Sequence, residues 1–372
     1  MGWSSGRPLG VVAALAALTV AIALWVVSDD DPKGTPAPAS IPRDESSSRP
    51  PPEPASSAGA ERAPGSNRVA IRRTLKRAVG DAAALGGTVE AAALREPWTA
   101  PVVVASDPGA GRRQTLMWSM SKVATLVALL RALGWDDVRG ESPSEEVQRA
   151  IRGAITRSEN CRQRRVVLEL QELAGGTEQA HRALSAAIRA AGAGASVGEE
   201  AAPPEALCLS YLTGQHGLSD PLAPGLLLGT STWTVADAVR FMDALGNGVY
   251  GSSVSRYVLR LMRAPKRRSR EAPPGDLTAA LDWGAGRAFA DREPAYKAGW
   301  GGTQRGEFFA GQIALVELPA SGSVAVAVMF HPDAQPVRDD PGITAAPEGI
   351  ELVMRALERR LASTQSEAAG GA

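Results

Sequence analysis

The chain has 372 residues, with 40 basic and 40 acidic side chains and no formal net charge at pH 7. This length suffices for one large domain or two modest ones, and the neutral balance argues against nucleic acid as the main partner. Two cysteines exclude a disulfide-rich scaffold, and no Cys/His cluster has metal-site spacing, so the sequence indicates neither a metal nor a cofactor.

The N-terminal region predicts a membrane anchor. Residues 9–27, LGVVAALAALTVAIALWVV, are apolar and uncharged, and about 20 such residues span a bilayer. Arg7 precedes this segment and three aspartates follow it, so residues 1–8 are expected in the cytoplasm and the rest outside. A cleaved signal peptide is the alternative, but LWVVSDD fits its cleavage site poorly. We therefore expect a single-pass protein of the cell membrane whose folded part is extracytoplasmic.

Residues 28–67 form a predicted linker between this anchor and the folded domain. They are rich in Pro, Ser and Ala, as in SSSRPPPEPASSAGA, and such a composition cannot bury a core. The linker would hold the domain away from the membrane surface. The folded domain is predicted over residues 68–364, and residues 365–372 are predicted to be a disordered tail.

Hydrophobic periodicity predicts a helix, two strands, many helices, three strands and a last helix. The first helix is predicted over RVAIRRTLKRAVGDAAAL, and the first strands over GGTVEAAAL and APVVVAS. A later helix is predicted over SPSEEVQRAIRGAIT, with Ser142 or Ser144 as its N-cap. The last strands are predicted over PAYKAGW, EFFAGQIALVEL and SVAVAVMF, joined as an antiparallel meander.

These elements predict an α/β fold with two lobes. The early and late strands would form one antiparallel sheet flanked by helices, and residues from about 118 to 270 would form an all-helical lobe. A cleft between the two lobes is the expected place for a functional site.

The run MWSMSKVATLVALLRAL, residues 117–133, places Ser119 three residues before Lys122 on one helix face. The chain has only five lysines, whereas arginine fills most other basic positions. A buried lysine can lose its proton, as arginine cannot, and so can activate a serine hydroxyl. An N-cap serine beside a surface lysine is the alternative that this motif alone leaves open.

Two further motifs follow in order, SEN at residues 158–160 and KAG at residues 297–299. The series S-x-x-K, S-x-N, K-x-G resembles that of the serine β-lactamase and penicillin-binding DD-peptidase superfamily. The resemblance extends over about residues 68–364 and includes the order of helices and strands. It implies the two-lobe β-lactamase/transpeptidase-like fold.

The resemblance also implies a role for each matching residue. Ser119 would attack a carbonyl carbon and form an acyl-enzyme, and Lys122 would take its proton. Ser158 would pass a proton to the leaving group, and Asn160 would bind the substrate amide. Lys297 would attract the carboxylate of the substrate.

Around the third motif, the resemblance implies a substrate-binding strand. The backbone N–H of Trp300 would complete an oxyanion hole with that of the serine nucleophile, and Gly299 would let the substrate backbone approach the strand edge. The family usually has Thr or Ser where this chain has Ala298, so one hydroxyl that would bind the substrate carboxylate is missing. Thr303 or Arg305 are the candidates to replace it.

A second departure concerns deacylation. Class A β-lactamases use a glutamate in an E-x-x-L-N setting, but no glutamate occurs between Leu207 and Thr232. Glu199, Glu200 and Glu205 lie earlier, outside such a pattern. We therefore expect a DD-peptidase-like enzyme acting on D-Ala-D-Ala-type peptides of peptidoglycan. A β-lactamase hydrolysing β-lactams and a catalytically degenerate domain that binds wall fragments are the alternatives.

Cys161 directly follows Asn160, and Cys208 lies at the start of a loop that would approach the cleft. In an oxidising compartment, a disulfide between these segments is one expectation, and two buried thiols are the other.

Overall fold

The computed structural model describes residues 64–94, 103–106, 114–135, 143–197, 208, 231–264, 283–302, 308–318, 322–333 and 342–369. The predicted anchor at residues 9–27 and the linker up to residue 63 lie outside these ranges. Within them, no helix combines the length and the apolar character needed to cross a membrane.

The predicted joining of early and late strands in one antiparallel sheet is confirmed. The strands within the described ranges are β1 (Gly87–Leu94), β2 (Val103–Ser106), β3 (Thr115–Leu116), β4 (Thr232–Trp233), β5 (Ala295–Gly302), β6 (Phe308–Leu318) and β7 (Gly322–Pro332). Five of them pair in the order β2-β1-β7-β6-β5, and each of these pairs is antiparallel. Strands β3 and β4 form a separate two-stranded ribbon that was not predicted.

The helices follow the predicted order. In the described residues they are α1 (Pro64–Ala83), α2 (Ser121–Ala132), α3 (Glu145–Thr156), α4 (Asn160–Ala174), α5 (Thr177–Ala190), α6 (Val235–Gly246), α7 (Ser252–Met262), α8 (Ala285–Ala288) and α9 (Gly342–Ala369).

The sheet is covered on both faces, which explains its nearly continuous apolar strands. Ala327 of β7 pairs with Ile313 of β6, and both side chains belong to the core shared with helices α2 to α7. Their neighbours Val326 and Ala314 point to the other face, into the core shared with α1 and α9. The alternation of side chains along each strand thus divides the domain into two cores.

Local signals fix several helix ends. Ser144 caps α3 by accepting a hydrogen bond from the Val147 N–H, so the second of the two predicted N-caps is the one used. Thr234 and Asp237 form a capping box at the start of α6. Gly175, directly after α4, adopts φ of 84°, where a left-handed glycine ends a helix at low cost.

Two helix boundaries differ from the predicted ones. Helix α1 begins at Pro64, inside the predicted linker, because proline is favoured in the first helical turn. Helix α9 continues to Ala369, past the predicted boundary at residue 364, since alanine, glutamate and glutamine are good helix formers.

Candidate active site

Ser119 lies in a tight 3-10 turn, Trp118–Met120, that leads directly into α2. The turn is held from behind, because Met117 N–H donates to the Ser231 carbonyl at 2.7 Å. The hydroxyl of Ser121 donates to the Trp118 carbonyl at 2.7 Å and is buried. Ser121 thus serves the turn, whereas Ser119 remains partly exposed.

Trp118, directly before Ser119, has a positive φ of 43°. A side chain that is not glycine costs about 1–3 kcal/mol in such a conformation and persists only where the surroundings enforce it. No sequence pattern indicates this strained backbone, which lies directly before Ser119.

Lys122 is buried, with 2% of its surface exposed, so a surface lysine is excluded. Its Nζ lies 3.0 Å from Ser119 Oγ and 2.8 Å from Asn160 Oδ1. It also donates to Ser158, at 2.7 Å from the carbonyl oxygen and 3.3 Å from Oγ. The amine therefore connects the first motif with the second.

Ser158 occupies the turn between α3 and α4 with φ of 58°, a second strained position. Lys297 Nζ donates to Ser158 Oγ at 2.8 Å and to the carbonyl of Ala298 at 2.9 Å. Lys297 is buried too, at 3% exposure. One hydroxyl thus contacts the amines of both lysines, and the third motif joins the other two.

Glu159, the middle residue of SEN, points away from this cluster. Its carboxylate pairs with Arg157 at 2.9 Å and with Arg162 at 3.7 Å. A Cβ on Gly153 of α3 would lie 2.3 Å from Glu159 Oε2, so the glycine makes room for the carboxylate. Glu159 therefore anchors the Ser158 turn to α3 and α4, a role that the sequence did not reveal.

Gly299 has a steric role within the fold, in addition to the predicted one toward the substrate. A Cβ at this position would lie 2.9 Å from the Met117 carbonyl oxygen and 3.1 Å from the backbone nitrogens of Ser119 and Met120. The absent side chain therefore lets strand β5 approach the turn that carries Ser119. Through this contact, the third motif packs directly against the turn that carries Ser119.

Gly301 repeats this pattern two residues later. A Cβ there would lie 2.7 Å from the indole of Trp118, which also packs against Phe309 with ring centroids 6.0 Å apart. Trp300 packs instead beside the core shared with α1 and α9, called the second core below, near Phe308. Its side chain is therefore on the other face of β5, and only its backbone is available to the predicted oxyanion hole.

Ala298 also belongs to the second core, together with Trp283 and Tyr296. Its methyl group is 7% exposed and packs among apolar side chains. Thr303 and Arg305, the predicted replacements for its missing hydroxyl, lie outside the described residues.

Cys161 and Cys208 form a disulfide, with their Cα atoms 5.1 Å apart. The bond joins the first turn of α4 to Cys208, which lies in the segment 207–232 where the sequence lacks a glutamate. Residues 209–230 lie outside the described ranges. Because Asn160 immediately precedes Cys161, the disulfide ties the Lys122 contacts to that segment.

One carboxyl group in the helical lobe has a shifted pKa. Asp243 of α6 is 2% exposed, and burial raises the pKa of its carboxyl to about 6, partly offset by a hydrogen bond with Asn247.

Within the described ranges, no group of three or more His, Cys, Asp or Glu side chains is placed to hold a metal ion.

The assembled cluster is suited to acyl transfer through a serine. It places a partly exposed hydroxyl beside a buried amine, a second hydroxyl between two amines, and a strand edge against the serine turn. A base beside a serine oxygen is what a serine nucleophile requires.

No family model matches the chain, and no curated protein matches its sequence. Solved structures of class A β-lactamases are similar to it. The enzyme from Bacteroides cellulosilyticus has a TM-score of 0.49 and 15% identity, over 79% of this chain and 99% of that chain. A β-lactamase from Chitinophaga pinensis has a TM-score of 0.47 and 16% identity, over 79% and 99%. The class A β-lactamase from Mycobacterium abscessus has a TM-score of 0.45 and 16% identity, over 75% and 98%.

Proposed function

We propose that the chain is a serine acyl-enzyme hydrolase or transferase of the DD-peptidase type, acting on D-Ala-D-Ala-type peptides of peptidoglycan. The observation that carries this proposal is the 3.0 Å contact between Lys122 Nζ and Ser119 Oγ in a buried setting. A lysine on the surface would stay charged and could not serve as a base. Burial and a nearby second amine both disfavour the charged form of a lysine, and the neutral form can accept a proton.

In the first step, Lys122 accepts the proton of Ser119 while Oγ attacks the peptide carbonyl. The 3.0 Å separation is within the range for direct proton transfer. The negative charge on the carbonyl oxygen is stabilised by the backbone N–H groups of Ser119 and Trp300. Gly299 supports this arrangement, because it brings β5 against the serine turn.

In the second step, the leaving amine receives a proton through Ser158. Its Oγ is 3.3 Å from Lys122 Nζ, so the proton taken from the nucleophile has a path to the leaving group. Asn160 accepts a hydrogen bond from Lys122 through Oδ1, which places its side chain beside the base and the substrate amide. The strained φ of Ser158 fits a residue held in place for this purpose.

Lys297 supplies the positive charge that a D-Ala-D-Ala terminus would meet. Its amine is buried beside Ser158, where a carboxylate is attracted more strongly than in water. Ala298 lacks the hydroxyl that would bind the substrate carboxylate. Coulomb attraction by Lys297 partly replaces that hydrogen bond. The apolar N-terminal segment supports a location outside the membrane, with the domain tethered to it.

β-Lactams offer the same amide and carboxylate, so the two substrates are separated by deacylation. The sequence lacks a glutamate between residues 207 and 232, which favours slow release of a β-lactam acyl-enzyme. A degenerate binding domain is disfavoured, because the three motifs keep their polar contacts.

The test is covalent labelling of the full chain in detergent with a fluorescent penicillin, alongside nitrocefin turnover. We expect a long-lived adduct that Ser119→Ala abolishes. Ser121→Ala is the matched control. It retains the adduct, because the wild-type Ser121 hydroxyl is buried and donates to the Trp118 carbonyl, so it is not available to attack a substrate. Release of D-alanine from a D-Ala-D-Ala peptide then tests the substrate.

Rapid nitrocefin turnover without a stable adduct would instead assign a β-lactamase. A folded protein that forms no adduct and releases no D-alanine would contradict both enzymatic proposals and favour a binding domain.

A further inference from the structure

A cavity of about 320 Å³ lies between the first and last helices, α1 and α9. Four arginines line it, Arg73 and Arg77 from α1 and Arg359 and Arg360 from α9. Both helices pack on the face of the sheet opposite to the helical lobe. The cavity is therefore separate from the proposed active site.

The charge of this cavity is strongly one-sided. Asp81 is the single acid among the described residues that line it. Arg73, Arg77 and Arg359 are exposed and form no ion pair with any residue in the described ranges. Their guanidinium groups therefore keep their hydrogen-bond donors for solvent or for a ligand.

The arginines repel one another, and Asp81, one turn after Arg77, offsets only part of that repulsion. Arg73 and Arg77 are one helical turn apart, and like charges at that spacing destabilise a helix. Arg359 and Arg360 add two more positive charges across the groove, although the whole chain has no formal net charge. An anion in the groove would relieve repulsion within α1 and between the two helices.

We infer that this groove binds an anion carrying two or more phosphate groups. Guanidinium groups bind phosphate oxygens in a bidentate fashion, with paired charge-assisted hydrogen bonds. Two arginines on each wall match separate phosphate groups better than a single one. The same chemistry is presented by soluble or polymer-borne phosphates and by phospholipid headgroups.

The test is calorimetric titration of the full chain in detergent with inorganic tripolyphosphate, with sulfate at matched ionic strength as the reference anion. We expect tripolyphosphate to bind the wild type and the double variant Arg73→Gln/Arg359→Gln to bind about tenfold more weakly or worse. The control is Arg182→Gln/Arg189→Gln on α5, which removes the same charge from another exposed surface and keeps wild-type affinity.

A second arm separates the two sources of phosphate. The full chain is placed in phosphatidylcholine vesicles with or without phosphatidylglycerol, and hydrogen exchange is measured in α1 and α9. Protection by phosphatidylglycerol that is lost in the double variant assigns lipid headgroups, and tripolyphosphate binding without it assigns a soluble or polymeric phosphate.

Equal binding by the wild type and the double variant, or no binding in either arm, overturns the inference. Arg77→Gln alone provides a second variant if the double one melts below the wild type. Penicillin labelling of Ser119 is expected to be the same in all these variants, so the groove and the proposed enzyme are tested independently.

Discussion

Replacing Gly299 with alanine tests whether strand β5 positions Ser119. The new Cβ would lie 2.9 Å from the Met117 carbonyl oxygen and 3.1 Å from the nitrogens of Ser119 and Met120. These are backbone atoms, which cannot rotate away as a side chain can, so the turn or the strand has to move by several tenths of an ångström. Overpacking of this kind costs about 1–3 kcal/mol.

The expected effect on chemistry is larger than the effect on stability. A displacement approaching 1 Å near reacting groups lowers rates by about 10²-fold, so we expect penicillin acylation of Gly299→Ala to fall about 10- to 100-fold. The assay is the time course of fluorescent labelling, with urea denaturation on the same samples. Labelling is corrected for the folded fraction.

Gly80 provides the matched control, because a Cβ there meets nothing within 4 Å and the residue lies inside helix α1. Gly80→Ala should raise the free energy of unfolding by about 0.5–1 kcal/mol and leave acylation unchanged. Wild-type acylation by folded Gly299→Ala would refute the idea that this close approach sets the position of Ser119.

Lys122→Arg keeps the charge but cannot act as a base, so acylation should fall about 10²–10⁴-fold in a folded protein. Removing the disulfide with Cys161→Ser/Cys208→Ser should lower the free energy of unfolding by about 4 kcal/mol, given the 47-residue separation, as measured by urea denaturation. Asp243→Asn should gain stability relative to the wild type as pH rises from about 4 to 6, measured by thermal melting at each pH.

The sign of the Asp243 prediction follows from proton linkage. The pKa of this carboxyl is about 6 in the folded protein, above its ordinary 3.8, so the folded state binds more protons between these values. The contribution of Asp243 to the free energy of unfolding is therefore lost as pH rises from about 4 through 6. Asparagine stays neutral and avoids that loss. A stability difference between Asp243→Asn and the wild type that does not change with pH would contradict this account. Full labelling of Lys122→Arg would likewise contradict the proposed role of Lys122 as the base.

The contacts that join the motifs were predictable to the extent that they depend on local spacing. A serine and a lysine three residues apart at a helix start share one face, and the structure has them 3.0 Å apart. Ser158 and Lys297, by contrast, are 139 residues apart, and no local pattern indicates their contact. The order of the three motifs supplied that expectation through family resemblance.

The unforeseen features are those that depend on close tertiary packing. A glycine in a strand has many possible reasons, and only the position of the Ser119 turn reveals that of Gly299. Ribbon β3–β4 consists of two-residue strands, which are too short for a periodic signal. The positive φ of Trp118 and Ser158 is equally invisible, because neither residue type favours that conformation.

The contacts of Lys122 explain why arginine is absent from that position. In the proposed reaction, Lys122 has to release and regain a proton, whereas Lys297 has to stay charged to attract a carboxylate. Ser158 Oγ lies 3.3 Å from the amine of Lys122 and 2.8 Å from that of Lys297, so both amines meet at one hydroxyl. A guanidinium at the first position would stay protonated. Retention of lysine in an arginine-rich chain is therefore what proton transfer through Ser158 requires.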